Sequence, residues 1–327
     1  MKMSYLEAVT DALDTAMALD PDVIVMGEDV GVYGGGSGAT RGLIQKYGPE
    51  RVMDTPISET SFTGAAVGCA ILGMKPVVEI IFSDFMTLAL DPIMNHAAKM
   101  HFMSAGTINV PIVVRTPMGA GTGAAAQHSQ SVENMFMNIP GLIVIAPSSP
   151  ADAKGLLLSA IECPDPVIFL EHKLSYKHQG EVPRVRYVLP IGKAGIPREG
   201  RDITIISYSE MVNESLKAAE LLCEEGISAE VVDLRTLRPL DRETVLESVS
   251  KTGRALIVTE SPVFGGFSGE IASMINEGGV SLRTPVRRLG GADSPIAYSE
   301  TIESRQIPHS VSIAAAAKEM VRSTTHD

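Results

Sequence analysis

The chain has 327 residues, 45% apolar, 20% charged and 5% aromatic, with three cysteines and no tryptophan. Its 27 basic and 39 acidic side chains leave a net charge of −12, which repels phosphate backbones and anionic lipid and speaks against nucleic-acid or membrane-surface binding. The apolar fraction excludes disorder as the main state, no run of about 18 uncharged apolar residues could span a bilayer, and the length predicts two domains.

From the N-terminus, Ser4-Tyr-Leu-Glu7 has capping-box spacing and predicts a helix that stops before Pro21. The opening segment carries Glu7, Asp11, Asp14 and Asp20, which fits neither a secretory signal nor an acid-poor transit peptide and predicts a cytoplasmic protein. Val23–Met26 reads as a strand ending at Gly27, and Gly31–Gly38 as a flexible surface loop. The small residues of Thr63–Gly73 predict a helix lying close to another backbone. Strands are expected at Lys75–Phe82, Val110–Arg115, Leu142–Ala146 and Pro166–Leu170, with a crossover helix over Asp152–Ile161.

Between about Ser175 and Arg201 the pattern lapses into charged, Pro- and Gly-containing sequence that reads as a linker. Alternation resumes with a strand at Asp202–Tyr208. Glu210–Glu225 is a helix with Val212, Leu216, Ala219 and Cys223 on one face, ended by Gly226. Strands at Ser228–Leu234 and Ala255–Glu260 flank a helix opened by Asp241 and closed near Gly253, and Ser268–Glu277 is a further helix. Strand–helix alternation of this kind is the pattern of an α/β protein with mostly parallel sheets. Cys69, Cys163 and Cys223 have no CxxC spacing and read as buried small residues, with neither a disulfide frame nor a zinc site.

Gly119–Ala124 formally matches a GxGxxA dinucleotide fingerprint, but Gln127-His128-Ser129-Gln130 follows where an amphipathic helix should, and no acid lies about 20 positions on. A tight turn that brings backbone near a ligand is the better reading. Two polar clusters interrupt apolar surroundings. Asp54–Glu59 reads locally as capping of the helix it precedes, and His128 as a structural hydrogen-bonder, with a functional role open for both. His96 and His101 lack ligand spacing for a metal. Phe82 and Phe85 read as core or interface aromatics.

Taken together, Gly27-Glu-Asp-Val30, Asp54–Glu59, Ile80–Phe85, Ala124–Gln130, Pro140-Gly-Leu142, Ala151-Asp-Ala-Lys-Gly155 and Glu171-His-Lys173 resemble one family, the β subunits of thiamine-diphosphate-dependent 2-oxo acid dehydrogenases. Val232-Asp-Leu-Arg235, Pro239-Leu-Asp241 and Lys251-Thr-Gly253 extend the likeness through the second half. The resemblance implies a transketolase-like α/β fold of two domains, a pyrimidine-binding domain over 1–185 and a transketolase C-terminal domain over 186–327. It implies an α2β2 heterotetramer in which a separate α subunit holds Mg²⁺ and the cofactor's diphosphate, which accounts for the lack of a GDG motif. It further implies decarboxylation of pyruvate, or a related 2-oxo acid, and reductive acylation of the lipoyl group of a dihydrolipoyl acyltransferase.

On the matching positions, Glu59 would hydrogen-bond the aminopyrimidine and join the proton exchange that activates the cofactor, with Phe85 and Ile57 packing beside the ring. His128 would serve proton handling or acyl transfer. Some relatives bind structural K⁺ through carbonyls corresponding to Ile112, Ala160 and Ile161 and an acid, where this chain has Cys163 and only Asp165 nearby. A second departure is Asp91-Pro92 where the family has Asp-Gln, which predicts an altered helix start. Gln127 before His128, where branched-chain types carry histidine, favours pyruvate or acetoin over branched substrates. The competing reading outside enzymology is an assembly scaffold without catalysis, and intact Glu59 and His128 argue against it.

Overall fold

The computed structural model describes residues 1–323 and separates into two compact units. One comprises Met1–Met118 and Met135–Ile191, the other Gly119–Asn134 and the chain from Gly192 onward.

In the first unit β1 (Lys2–Ser4) leads into α1 (Tyr5–Leu19). The predicted capping box is present: Glu7 N–H donates to Ser4 Oγ at 3.1 Å, and Ser4 N–H to the Glu7 carboxylate at 2.7 Å, a cap worth about 1 kcal/mol. There follow β2 (Val23–Gly27), α2 (Leu43–Tyr47), β3 (Val52–Asp54), α3 (Glu59–Ile71) and β4 (Lys75–Glu79). A 3₁₀ turn over Ser83–Thr87 precedes a π-helical turn over Pro92–Ala97 that runs into α4 (Ala98–Met103). Pro92 is the first residue of that π-helical turn and follows Asp91, which is itself helical with φ −62° and ψ −56°. Then come β5 (Val113–Met118), α5 (Glu133–Met137), β6 (Ile143–Ile145), α6 (Pro150–Glu162), β7 (Val167–His172) and β8 (Gln179–Glu181).

The strands order as β6-β7-β5-β4-β2-β3, all parallel. Strands covered on both faces must be apolar throughout, as Val23–Val25 and Val113–Val114 are. α1 and α6 pack on one face of the sheet, where Leu13 and Met17 join Leu157, Ile161, Val25, Val77 and Val113 in a single core.

The second unit contains β9 (Gly195–Arg198), β10 (Ile203–Ser207), α7 (Glu210–Glu224), β11 (Ala229–Asp233), β12 (Thr236–Arg238), α8 (Arg242–Thr252), β13 (Ala255–Pro262), α9 (Ser268–Glu277), β14 (Arg287–Gly291), α10 (Glu300–Gln306) and α11 (Ser310–Arg322). Its sheet runs β14-β13-β10-β11-β9, parallel except for β9 at the edge. α7 and α11 share a core with β10, β11 and β13. Asp241 caps α8 by accepting from Thr244 N–H at 3.3 Å, and Gly253 closes it with φ +69°. Among the described residues no helix is long and apolar enough to cross a membrane.

Four local expectations need correction. The first part of the supposed linker is built into the first unit: β8 pairs antiparallel with β1, Tyr187 donates to the Ala151 carbonyl at 2.6 Å, and Leu189 and Ile191 pack on the core. Paired backbone and buried side chains make it structure, whatever its Pro content. Gly31–Gly38 is pinned as well, with Gly31 N–H on Asp54 at 2.6 Å and Gly36 N–H on Glu79 at 2.9 Å. At its glycines the small-residue helix is not in close approach to another backbone of this chain, since a Cβ at Gly68 would meet nothing within 4 Å and one at Gly64 only Pro92. Cys223 is exposed, because the buried stripe of α7 runs through Met211, Val212, Ser215, Ala218, Ala219 and Leu222, one position off.

Candidate active site

In the first unit β2 has β3 on one side and β4 on the other. The chain reverses its direction of sheet growth there, and in open parallel sheets such a switch point opens a crevice at the carboxyl ends of the strands. The end of β2 lies so close to β4 that a Cβ on Gly27 would sit 2.5 Å from the Glu79 carbonyl oxygen. Glu28 and Asp29 follow β2, Ile57 and Glu59 follow β3, and Phe85 follows β4. Three of the residues singled out by sequence, Ile57, Glu59 and Phe85, therefore lie just beyond strand ends on connections that issue from the same end of the same sheet.

Glu59 is the first residue of α3 and only 6% exposed, with Ser58 as an N-cap whose hydroxyl takes no backbone N–H of the helix and donates instead to Ser61 Oγ at 2.8 Å. Capping alone accounts poorly for it, since a carboxylate that only complements the helix dipole has no reason to leave water. Burial, together with the charges of Asp29 and Glu59, holds the Glu28 carboxyl above the usual carboxylate range. Glu28 is a residue sequence reasoning passed over, although it stands within the Gly27–Val30 motif. Ile57 is 75% exposed. Phe85 is half-buried, its ring set edge-on to Phe82 at 5.9 Å and 86°. An exposed aliphatic, a half-open aromatic and a buried carboxylate at one crevice can bind a flat heteroaromatic ring and hold a proton at its edge.

Behind this crevice lies a buried ionic network. Arg115 of β5 donates to Glu171 of β7 through Nε at 2.8 Å and Nη2 at 2.7 Å, and through Nη1 to Glu79 of β4. Tyr176 donates to Glu171 at 2.7 Å, and Glu79 in turn holds Gly36 of the glycine-rich loop. Burial works against the Arg115 charge, but Glu171 and Glu79 more than offset it and raise its proton affinity well above the ordinary range. Burial keeps the Glu79 carboxyl raised against the pull of Arg115, with Glu171 adding to the effect.

His128 belongs to the second unit, on the loop Gly119–Asn134. It is half-buried, and its N–H donates to the Ala125 carbonyl at 3.3 Å. The glycines read as a tight turn have φ of +91°, +94° and +66° at Gly119, Gly121 and Gly123. Gly121 and Gly123 donate to Glu303 and Ala120 to Glu260, while the Gly119 N–H goes to the Gln130 carbonyl at 3.3 Å. Beside the loop is a cavity of about 360 Å³ bounded by Ser129, Gln130, Glu260, Asp293 and Ser294. Neither Glu260 nor Glu303 carried a sequence signal.

The residues tied to potassium lie in the first unit and are buried. The Ile112 carbonyl accepts from Val167 N–H at 2.9 Å, and the Ala160 carbonyl from Cys163 N–H at 3.3 Å. Burial pushes the Cys163 thiol up, and Asp165 is exposed.

Known proteins give independent bearings. The transketolase pyrimidine-binding domain model matches residues 1–179, and the transketolase C-terminal domain model residues 192–313. Pyruvate dehydrogenase E1 component subunit beta-1, mitochondrial, of Arabidopsis thaliana is 49% identical over 97% of this chain and 89% of its own. The 2-oxoisovalerate dehydrogenase subunit beta of Bacillus subtilis is 47% identical over 97% and 98%. The acetoin:2,6-dichlorophenolindophenol oxidoreductase subunit beta of Cupriavidus necator is 43% identical over 99% of both. Among solved structures, a split-gene transketolase described as an inactive beta4 tetramer superposes with a TM-score of 0.81 at 24% identity over 98% of each chain, a likeness of fold.

Proposed function

Because the chain belongs to the β-subunit family of thiamine-diphosphate-dependent 2-oxo acid dehydrogenases, we propose that with an α subunit it decarboxylates pyruvate and passes the acyl group to the lipoyl arm of a dihydrolipoyl acyltransferase. The observation that carries this reading is the buried Glu59 carboxylate at the switch point, beside Glu28 and on the same loop cluster as Phe85.

Those residues fit one part of the cofactor. Ile57 and Phe85 suit the faces of an aminopyrimidine, and Glu59 suits its ring nitrogen, where the carboxyl would share a proton. When bound, thiamine diphosphate supplies the carbon nucleophile and the electron sink for decarboxylation. His128 would move a proton on the substrate side or at the accepting sulfur. Among the described residues neither glycine-rich loop is free to serve as a diphosphate cradle. Both glycine-rich loops spend amides on the chain's own carboxylates, Asp54 and Glu79 for one and Glu260 and Glu303 for the other. This supports a divided site, with Mg²⁺ and the diphosphate on the α subunit of an α2β2 assembly.

We propose that the functional division falls within the stretch 180–191 that neither family model covers, near the expected 185/186 and ahead of the end of the first compact unit at Ile191. Potassium at the Ile112, Ala160 and Ile161 carbonyls stays a subsidiary proposal, resting on the family pattern alone. Identities of 49, 47 and 43% to relatives named for pyruvate, 2-oxoisovalerate and acetoin do not separate the substrates. Gln127 before His128 favours pyruvate or acetoin.

The test is dye-coupled turnover of the co-purified α/β enzyme on all three substrates. Pyruvate should be preferred, and Glu59→Gln should lose about 10²–10⁴-fold of the turnover, the range for a positioned acid–base group. Full activity in Glu59→Gln would overturn the assignment, and preference for 2-oxoisovalerate would overturn the substrate.

A further inference from the structure

We propose that Glu303 is a positioning residue for His128, its carboxylate holding the loop in the conformation that presents the imidazole. This rests on the assignment of His128 above. Gly119, Gly121, Gly123 and Ala125 all have left-handed φ (+91°, +94°, +66° and +62°), alternating with residues that do not. Such alternation turns successive N–H groups to one side and forms a concavity that binds an anion. The formal dinucleotide fingerprint is thus an anion nest in geometry, and it is filled from within the chain.

The N–H groups of Gly121 and Gly123 donate to the two oxygens of Glu303, at 2.7 and 3.0 Å. Glu303 stands on α10 and is 2% exposed, so this charge has left water to make these bonds. A second carboxylate, Glu260 at the carboxyl end of β13, takes Ala120 N–H at 2.9 Å and Ser131 Oγ at 2.8 Å on one oxygen. The two flanks of the His128 segment are therefore drawn to a single atom, and its glycine turn is pinned by Glu303. Ala125, a non-glycine residue at φ +62°, accepts from His128 N–H. A strained residue of this kind keeps its conformation only where its surroundings over-determine it. Because both Glu303 oxygens accept, glutamine there must turn an NH₂ toward a backbone N–H.

The experiment uses the α/β enzyme with Glu303→Ala, Glu303→Gln, His128→Ala and the Glu303→Ala/His128→Ala pair. Glu303→Ala and Glu303→Gln should each lower turnover about 100-fold, the cost of misplacing a reacting group by about 1 Å. The loss should fall on whichever step, decarboxylation or lipoyl acylation, His128→Ala impairs. The double variant should be no slower than His128→Ala alone. Excess formate, a carboxylate small enough for the vacated nest, should restore Glu303→Ala and leave His128→Ala unchanged. Amide exchange over 120–131 should quicken in Glu303→Ala and slow again with formate, while that of β10 holds.

Parent-like turnover or exchange in Glu303→Ala, or a double variant slower than His128→Ala, would overturn the proposal. Absence of a formate response in both readouts would do the same. Should His128→Ala be fully active, the catalytic assignment of His128 falls, and the exchange of 120–131 by itself decides whether Glu303 anchors the loop. If Glu303→Ala does not assemble, Glu303→Asp carries the same readouts, with an intermediate loss expected because it keeps the charge and shortens the reach.

Discussion

Replacing Arg115 by methionine removes the only cation from a group in which Arg115, Glu79 and Glu171 are 1%, 2% and 0% exposed. Three donated bonds disappear, two to Glu171 and one to Glu79, and two carboxylates stay buried without their counter-charge. Breaking a buried pair in this way costs about 3–5 kcal/mol. At roughly 2–4 °C per kcal/mol for a domain of this size, the unfolding midpoint should fall by about 6–20 °C. The pH dependence follows from Glu79. Its carboxyl is raised in the native state, chiefly by burial, so between the unfolded and native pKa values the folded chain holds more protons, and stability falls as pH rises through that window. Without Arg115 the rise is larger. The Arg115→Met deficit should therefore be greatest near about pH 8 and shrink toward about pH 5. Scanning calorimetry of the α/β enzyme across that range measures both. The triple change Glu79→Gln/Arg115→Met/Glu171→Gln should recover most of the loss, since it leaves no unpaired charge. A midpoint within about 2 °C of the parent, or a deficit that grows on acidification, would refute the reasoning.

Phe85→Ala should raise the apparent KM for thiamine diphosphate about 10-fold, the equivalent of one aromatic contact of about 1.4 kcal/mol. Its thermal midpoint should move little because Phe85 is only half-buried; an unchanged KM removes Phe85 from the binding surface. Gly141→Ala tests the Pro140-Gly-Leu142 motif. Gly141 has φ +97°, and a Cβ there would collide with the Ala98 carbonyl oxygen. Left-handed strain plus a forced backbone shift should cost about 2–5 kcal/mol, read as a lower denaturant midpoint, and parent-like stability would contradict the packing described.

Some features are legible because their physics is local. The Ser4/Glu7 capping box, Asp241 opening α8 and Gly253 closing it depend on residues three or four apart. The mostly parallel α/β alternation follows from apolar runs too short for helices between amphipathic segments. The misread stretches share a different cause. Gly31–Gly38 is ordered by Asp54 and Glu79, which lie up to 43 positions on, and the supposed linker by pairing with β1. Composition reports what a segment could do alone and is blind to partners far along the chain.

The candidate site divides the same way. Ile57, Glu59, Phe85 and His128 stand out through their motifs, yet taken one at a time each has an ordinary local reading as a cap, a packing residue or a hydrogen-bonder. The sequence by itself determined the α/β class, the family and the identities of these side chains, because periodicity, capping and motif order are properties of near neighbours. Only the tertiary structure decided that loops after β2, β3 and β4 open at one switch point. Only it showed that Arg115 closes a buried network there, and that Glu260 and Glu303 hold the His128 loop from 140 and 182 positions away. Charges far apart in sequence come within bonding distance only when the sheet is assembled, and burial then makes each of those pairings strong.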